Sequence, residues 1–276
     1  MKQVLFRIFR VIIILSVGCP LVMIIVNYFN PIHPAFDASS AYYRRSIFST
    51  SFPYIIPYML FVPNGYDATK KYPLVLVLHG SNKDALEAEI LTFPDIQKKY
   101  PSFIVMPLAP FVQTWALPDD TEFQHWSSFA MPYAMKALSQ VEESYSIDRD
   151  RVYITGVSSG GFGVFGTLIK HPDDFAAAIV VSGGWVSAES PQVPHIPIRI
   201  FHSDDDPQIP VSYARGMAKS LNEEGGNVKY KEYTGLGHAV KFTAFANNYL
   251  WDWLFAQKRG VLHEEYGPPT LSAKQP

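Results

Sequence analysis

One cysteine, Cys19, is all the chain contains in 276 residues. That scarcity excludes an intrachain disulfide, a four-cysteine zinc site and any cysteine nucleophile beyond the first thirty residues. There is no H-E-x-x-H and no His/Cys cluster at ligand spacing, so no metal is expected. The absence of G-x-x-x-x-G-K-[ST] removes P-loop nucleotide chemistry, and Gly161 and Gly163 resemble a dinucleotide fingerprint only loosely; no cofactor is expected. Lys and Arg total 23 against 25 Asp and Glu, a net charge of −2, with no basic run outside the N-terminus. Nucleic acid is therefore not an expected partner. No repeat or low-complexity run is present.

Charge is missing in one further place. Val11 to Phe29 carries none, and Lys2, Arg7 and Arg10 precede it. Nineteen helical residues span about 28 Å, close to one bilayer core. Residues 1–30 therefore read as a signal anchor or transmembrane segment, with membrane as a partner and the rest of the chain extracytoplasmic. A signal cleaved near Ala38 to Ala41, with export, is the competing reading; a lipoprotein signal ending at Gly18-Cys19 is a third. Residues 31–52 read as a linker, 53–259 as one α/β domain, and 260–276, with Pro268-Pro269, as a disordered tail.

What is present is concentrated at Arg151 to Gly163. Arg151 to Thr155 reads as a buried strand, Gly156-Val157-Ser158-Ser159-Gly160 is a G-x-S-x-G pattern, and Phe162 to Lys170 reads as a helix. Strand, sharp turn and helix make the context of a nucleophile elbow, with Ser158 as nucleophile and glycines where a Cβ would collide. Such a serine needs a base, and the base an orienting acid. Strand 197–202 runs into the acidic stretch Ser203-Asp204-Asp205-Asp206-Pro207; strand 228–233 runs into Thr234-Gly235-Leu236-Gly237-His238. Acid and histidine thus follow Ser158 in order, at the carboxyl ends of strands where such groups gather. Strand 73–79 ends in His79-Gly80-Ser81, and the backbone N–H groups of Ser81 and Ser159 are the expected oxyanion donors.

The remaining expected elements are strand 54–62, helix 84–99, strand 102–107, a loop over 108–128, helix 130–145, strand 176–182, helix 211–224 and helix 242–257. Alternating strands and helices imply a doubly wound, mostly parallel sheet. Trp115, Phe123, His125, Trp126 and Trp185 fall in loops on the expected site side; Trp115, His125, Trp126 and Trp185 are the candidate substrate contacts, against loop packing as the plainer role. His79 and His202 are expected to fix loops by hydrogen bonds.

Several marks together resemble the predicted-peptidase and carboxylesterase branch of the α/β-hydrolases, related to polyhydroxybutyrate-depolymerase-like and feruloyl esterases. They are Phe61-Val62-Pro63-Asn64-Gly65-Tyr66, Lys71-Tyr72-Pro73-Leu74 leading to His79-Gly80, and Arg151 to Gly163. Ser182-Gly183-Gly184, Phe201-His202, Ile209-Pro210 and Gly237-His238 complete them. The family pattern His-Gly-x-x-Asp-x-x-Val-Pro, laid on His202 to Pro210, selects Asp206 as the acid, with Ser203 for glycine and Ile209 for valine. The resemblance implies the α/β-hydrolase fold, a Ser158, Asp206, His238 triad without cofactor, and a small-molecule carboxylic ester as substrate. A peptidase of the prolyl-oligopeptidase type shares the triad but usually carries an access-limiting domain, for which there is no room. A catalytically silent hydrolase fold used for binding is the third reading.

Overall fold

The computed structural model describes residues 42–48, 55–83, 86–109, 114–118, 130–193 and 196–261. They form one eight-stranded sheet. Its strands are β1 (Tyr42–Phe48), β2 (Ile55–Phe61), β3 (Tyr72–Leu78), β4 (Phe103–Pro107), β5 (Ile147–Val157), β6 (Ala177–Val181), β7 (Ile198–Ser203) and β8 (Val228–Tyr233), in the spatial order β1-β2-β4-β3-β5-β6-β7-β8. β2 runs antiparallel to both neighbours; from β4 to β8 every pairing is parallel.

Alternation along the strands divides the core into two layers. Leu74, Leu76 and Leu78 of β3 join Val152 and Ile154 of β5 on one face; Val75 and Val77 join Tyr153 and Val157 on the other. The first face is covered by α3 (Met131–Ser144), α4 (Ser159–Lys170) and α5 (Ser212–Glu223). α3 buries Met131, Ala134, Ala137, Leu138 and Val141, a stripe at helical spacing. The second face is covered by α1 (Leu86–Leu91), α6 (Val240–Phe245) and α7 (Asn248–Ala256), the last burying Leu250, Trp251 and Leu254. Helices on both faces make the sheet doubly wound, as the uncharged runs of β3, β4 and β6 imply.

The structure departs from the expected elements in three places. The span 84–99 holds two short helices, α1 and α2 (Pro94–Lys99), because Pro94 opens the second and holds Phe93 in an extended conformation, φ −58°, ψ 140°. The span 242–257 is likewise divided, at Asn247, whose side chain accepts the Tyr249 N–H and caps α7. The span 31–52, expected as a linker, contains β1, paired along its whole length with β2; the sheet therefore begins before residue 53. Nothing in Tyr-Tyr-Arg-Arg-Ser-Ile-Phe alternates cleanly, so an edge strand there leaves little pattern to read. No helix among the described residues is long and apolar enough to cross a membrane; Val11 to Phe29 lies outside them, as do residues 262–276 of the expected tail.

Candidate active site

β3, β5, β7 and β8 are parallel, so their carboxyl ends share one edge of the sheet. At that edge β5 turns abruptly into α4. Ser158 sits in the turn at φ 58°, ψ −120°, a region side chains rarely enter. Neighbours on both sides hold it there. Its N–H donates to the Val181 carbonyl (2.9 Å), and its own carbonyl accepts the N–H groups of Gly161 (2.8 Å) and Phe162 (3.2 Å). The flanking glycines are required by contact. A Cβ on Gly156 would lie 2.3 Å from the Gly160 carbonyl oxygen, and one on Gly160 would lie 1.8 Å from that of Leu78. The elbow expected from G-x-S-x-G is present, with Ser158 partly exposed at the N-terminus of α4.

The loop after β3 lies against the elbow. Ser81 Oγ donates to Ser159 Oγ (3.2 Å), which couples the two residues expected to supply oxyanion donors. His79 holds this loop from below. Its Nδ1–H donates to the Gly80 carbonyl (2.7 Å) and its Nε2 accepts the Ala109 N–H (3.0 Å), which fixes the tautomer and ties the loop after β3 to the loop after β4. Burial, with the ring only 3% exposed, drives the His79 pKa down to about 4.

On the loops after β7 and β8, His238 Nδ1–H donates to Asp206 Oδ2 at 2.7 Å. The Asp206 side chain is fully covered, whereas that of His238 is 17% exposed. Burial alone would raise the Asp206 carboxyl. Hydrogen bonds from His202, His238 and the N–H groups of Gln208 and Ile209 outweigh it and hold the carboxyl well below the usual carboxylate range. The two other aspartates of the loop do different work. Asp204 Oδ2 accepts from Thr234 Oγ1 (2.9 Å); Asp205 Oδ1 accepts the Gly237 N–H (3.0 Å) and the Ser203 hydroxyl (2.5 Å). Ser203 Oγ also accepts the Leu236 N–H (3.2 Å). The serine that replaces the family's glycine thus joins the acid loop to the histidine loop. Sequence reading missed this lock; the only signal for it was the departure itself.

Among the expected substrate contacts, Trp115 is 1% exposed, its indole N–H donating to the His79 carbonyl (2.8 Å). Trp185 is 5% exposed and donates to Glu189 (2.9 Å). Both side chains are taken up by packing. His125, Trp126 and Phe123 lie outside the described residues. No group of three His, Cys, Asp or Glu among the described residues is placed to hold a metal ion.

Comparison with known proteins gives a consistent set of likenesses. Residues 128–249 match the phospholipase/carboxylesterase family of the α/β-hydrolases. Poly(3-hydroxyalkanoate) depolymerase C of Paucimonas lemoignei is 27% identical over 162 residues, 56% of this chain and 38% of that protein. Feruloyl esterase C of Emericella nidulans is 23% identical over 204 residues, 68% of this chain and 74% of that protein. The crystal structure of a thermostable esterase superposes with a TM-score of 0.74 at 32% identity, covering 79% of this chain and 64% of that one. The chain spans 41% and 38% of the first two curated relatives it matches.

Proposed function

We propose that the chain belongs with the phospholipase/carboxylesterase-type α/β-hydrolases it resembles and hydrolyses a small-molecule carboxylic ester through Ser158, His238 and Asp206. The observation that carries the reading is the 2.7 Å bond from His238 to a carboxylate held ionised at the same sheet edge as the strained Ser158. Ser158 Oγ attacks the ester carbonyl carbon while His238 Nε2 takes its proton. The carbonyl oxygen becomes an oxyanion, held by the Ser81 and Ser159 N–H groups; each such donor contributes about 3–4 kcal/mol to the transition state. His238 returns the proton to the leaving alcohol as the C–O bond breaks and an acyl-serine remains. Water, deprotonated by His238, then attacks the acyl carbon and releases the acid and the free serine.

Relatives named as a depolymerase of poly(3-hydroxyalkanoate) and a feruloyl esterase favour an ester over a peptide amide. A panel of p-nitrophenyl esters of graded acyl length beside aminoacyl p-nitroanilides tests this. Ester turnover with no anilide turnover is expected; anilide cleavage at a higher kcat/KM than any ester would reverse the assignment of substrate class.

A further inference from the structure

The catalytic acid has a second histidine on it. His202 closes β7, its side chain is wholly buried, and its Nε2 lies 3.3 Å from Asp206 Oδ2 and 3.1 Å from the Ile209 carbonyl oxygen. Both neighbours are acceptors, so Nε2 must carry a hydrogen and donate to them. Asp206 is then fully subscribed. Oδ1 accepts the N–H groups of Gln208 (2.9 Å) and Ile209 (3.1 Å), and Oδ2 accepts His238 Nδ1–H (2.7 Å) and His202 Nε2–H. The other ring nitrogen, Nδ1, has no hydrogen-bond partner among the described residues. A wholly buried imidazole that leaves one nitrogen unsatisfied costs stability. That cost falls on a ring whose other nitrogen points at the reaction's acid.

Resting on the triad assignment above, we propose that His202 is a positioning residue for catalysis: its Nε2–H fixes the Oδ2 lone pair on which His238 is hung. Without that donor the carboxylate has one acceptor site open in a dry pocket. It can swing toward another donor, and it becomes a stronger base toward the hydrogen on His238. Two effects follow. The His238 ring loses its fixed aim at Ser158, which lowers kcat. The cationic form of His238 is held more firmly by the freed carboxylate, which moves the acid limb of the rate profile to higher pH. Charged groups among the described residues beside this cluster include Asp204 and Asp205 on the same loop and Glu232 of β8, which is paired with Arg215 of α5. None of these hydrogen bonds involves His202.

The test compares His202→Gln, whose amide N–H reaches the Nε2 position, with His202→Asn and His202→Leu, which do not. kcat and KM for p-nitrophenyl acetate are measured from pH 5 to 9 on variants shown by circular dichroism to be folded. Expected are a fall in kcat of about tenfold or more for Asn and Leu, a value for charged hydrogen bonds, with KM little changed, the acid limb moved to higher pH, and both effects largely reversed in Gln. If Leu does not fold, Asn against Gln carries the comparison. A folded Asn or Leu variant with unaltered kcat and profile overturns the proposal, as does a loss equal in all variants with an unmoved acid limb. Failure of the triad assignment is distinguishable, because Ser158→Ala would then retain the wild-type turnover.

Discussion

Asp206, Asp205 and Asp204 are consecutive, alike in charge and unlike in task. The Gln208 and Ile209 N–H groups both point at Oδ1 of Asp206. In Asp206→Asn the carbonyl oxygen must stay on that side, so the amide NH2 is turned toward the His238 Nδ1–H and opposes it. The histidine is left in the wrong tautomer, and kcat should fall on the order of 10,000-fold. Asp205→Asn keeps an acceptor oxygen for the Gly237 N–H and the Ser203 hydroxyl, and Asp204→Asn keeps one for Thr234; both should retain most of the activity. Initial rates on p-nitrophenyl acetate separate the three. A dead Asp205→Asn beside an active Asp206→Asn would show that the acid is the neighbouring residue.

At the scale of elements, the elbow depends on a helix and two strands approaching more closely than any side chain allows. Gly160→Ala would drive a Cβ into the Leu78 carbonyl, part of a wholly buried strand that cannot yield. Urea denaturation should show a loss of about 3 kcal/mol or more, at the upper end of overpacking costs; a loss under about 1 kcal/mol would mean that β3 and α4 can separate. This element was legible in the sequence because glycine spacing, strand and helix coincide there. β3 and β6 were legible too, since strands buried on both faces read as unbroken apolar runs. The interruptions at Pro94 and Asn247 were not, because helical periodicity continues across each while a local cap or ring decides the break. Trp115 and Trp185 were placed in loops at the right edge, but residue type alone could not distinguish a ring lining a cleft from one packed beneath it. The Ser203 and His202 contacts needed three dimensions, since they join residues whose sequence gives only position after a strand.

For the molecule as a whole, acid should act first through His79. Folding lowers its pKa from 6.5 to about 4 because burial disfavours the cation. Between those values the unfolded chain binds a proton that the folded chain refuses. The contribution is therefore full above about pH 6.5 and declines as pH falls toward 4, a loss of about 3 kcal/mol by linkage. Asp206 adds a second, lower window: its carboxyl is depressed, so its contribution is full above the ordinary carboxylate range, near pH 3.9, and is lost only below it. Urea midpoints from pH 7 to 4 should fall for the wild type and fall less steeply for a folded His79→Gln variant; parallel slopes would remove His79 from the account. β1 is paired with β2 so that Tyr42 lies opposite Phe61, and β2 runs against β4. At Tyr42 the chain consequently enters the sheet at the edge opposite Ser158. The proposed chemistry depends above all on Ser158 as the nucleophile. Reaction of the full chain with a fluorophosphonate, read by intact mass and peptide mapping, tests it most directly. A single adduct on Ser158 is expected, formed together with loss of p-nitrophenyl ester turnover, and neither adduct nor turnover in Ser158→Ala. An adduct on another residue, or turnover that survives in Ser158→Ala, would contradict it.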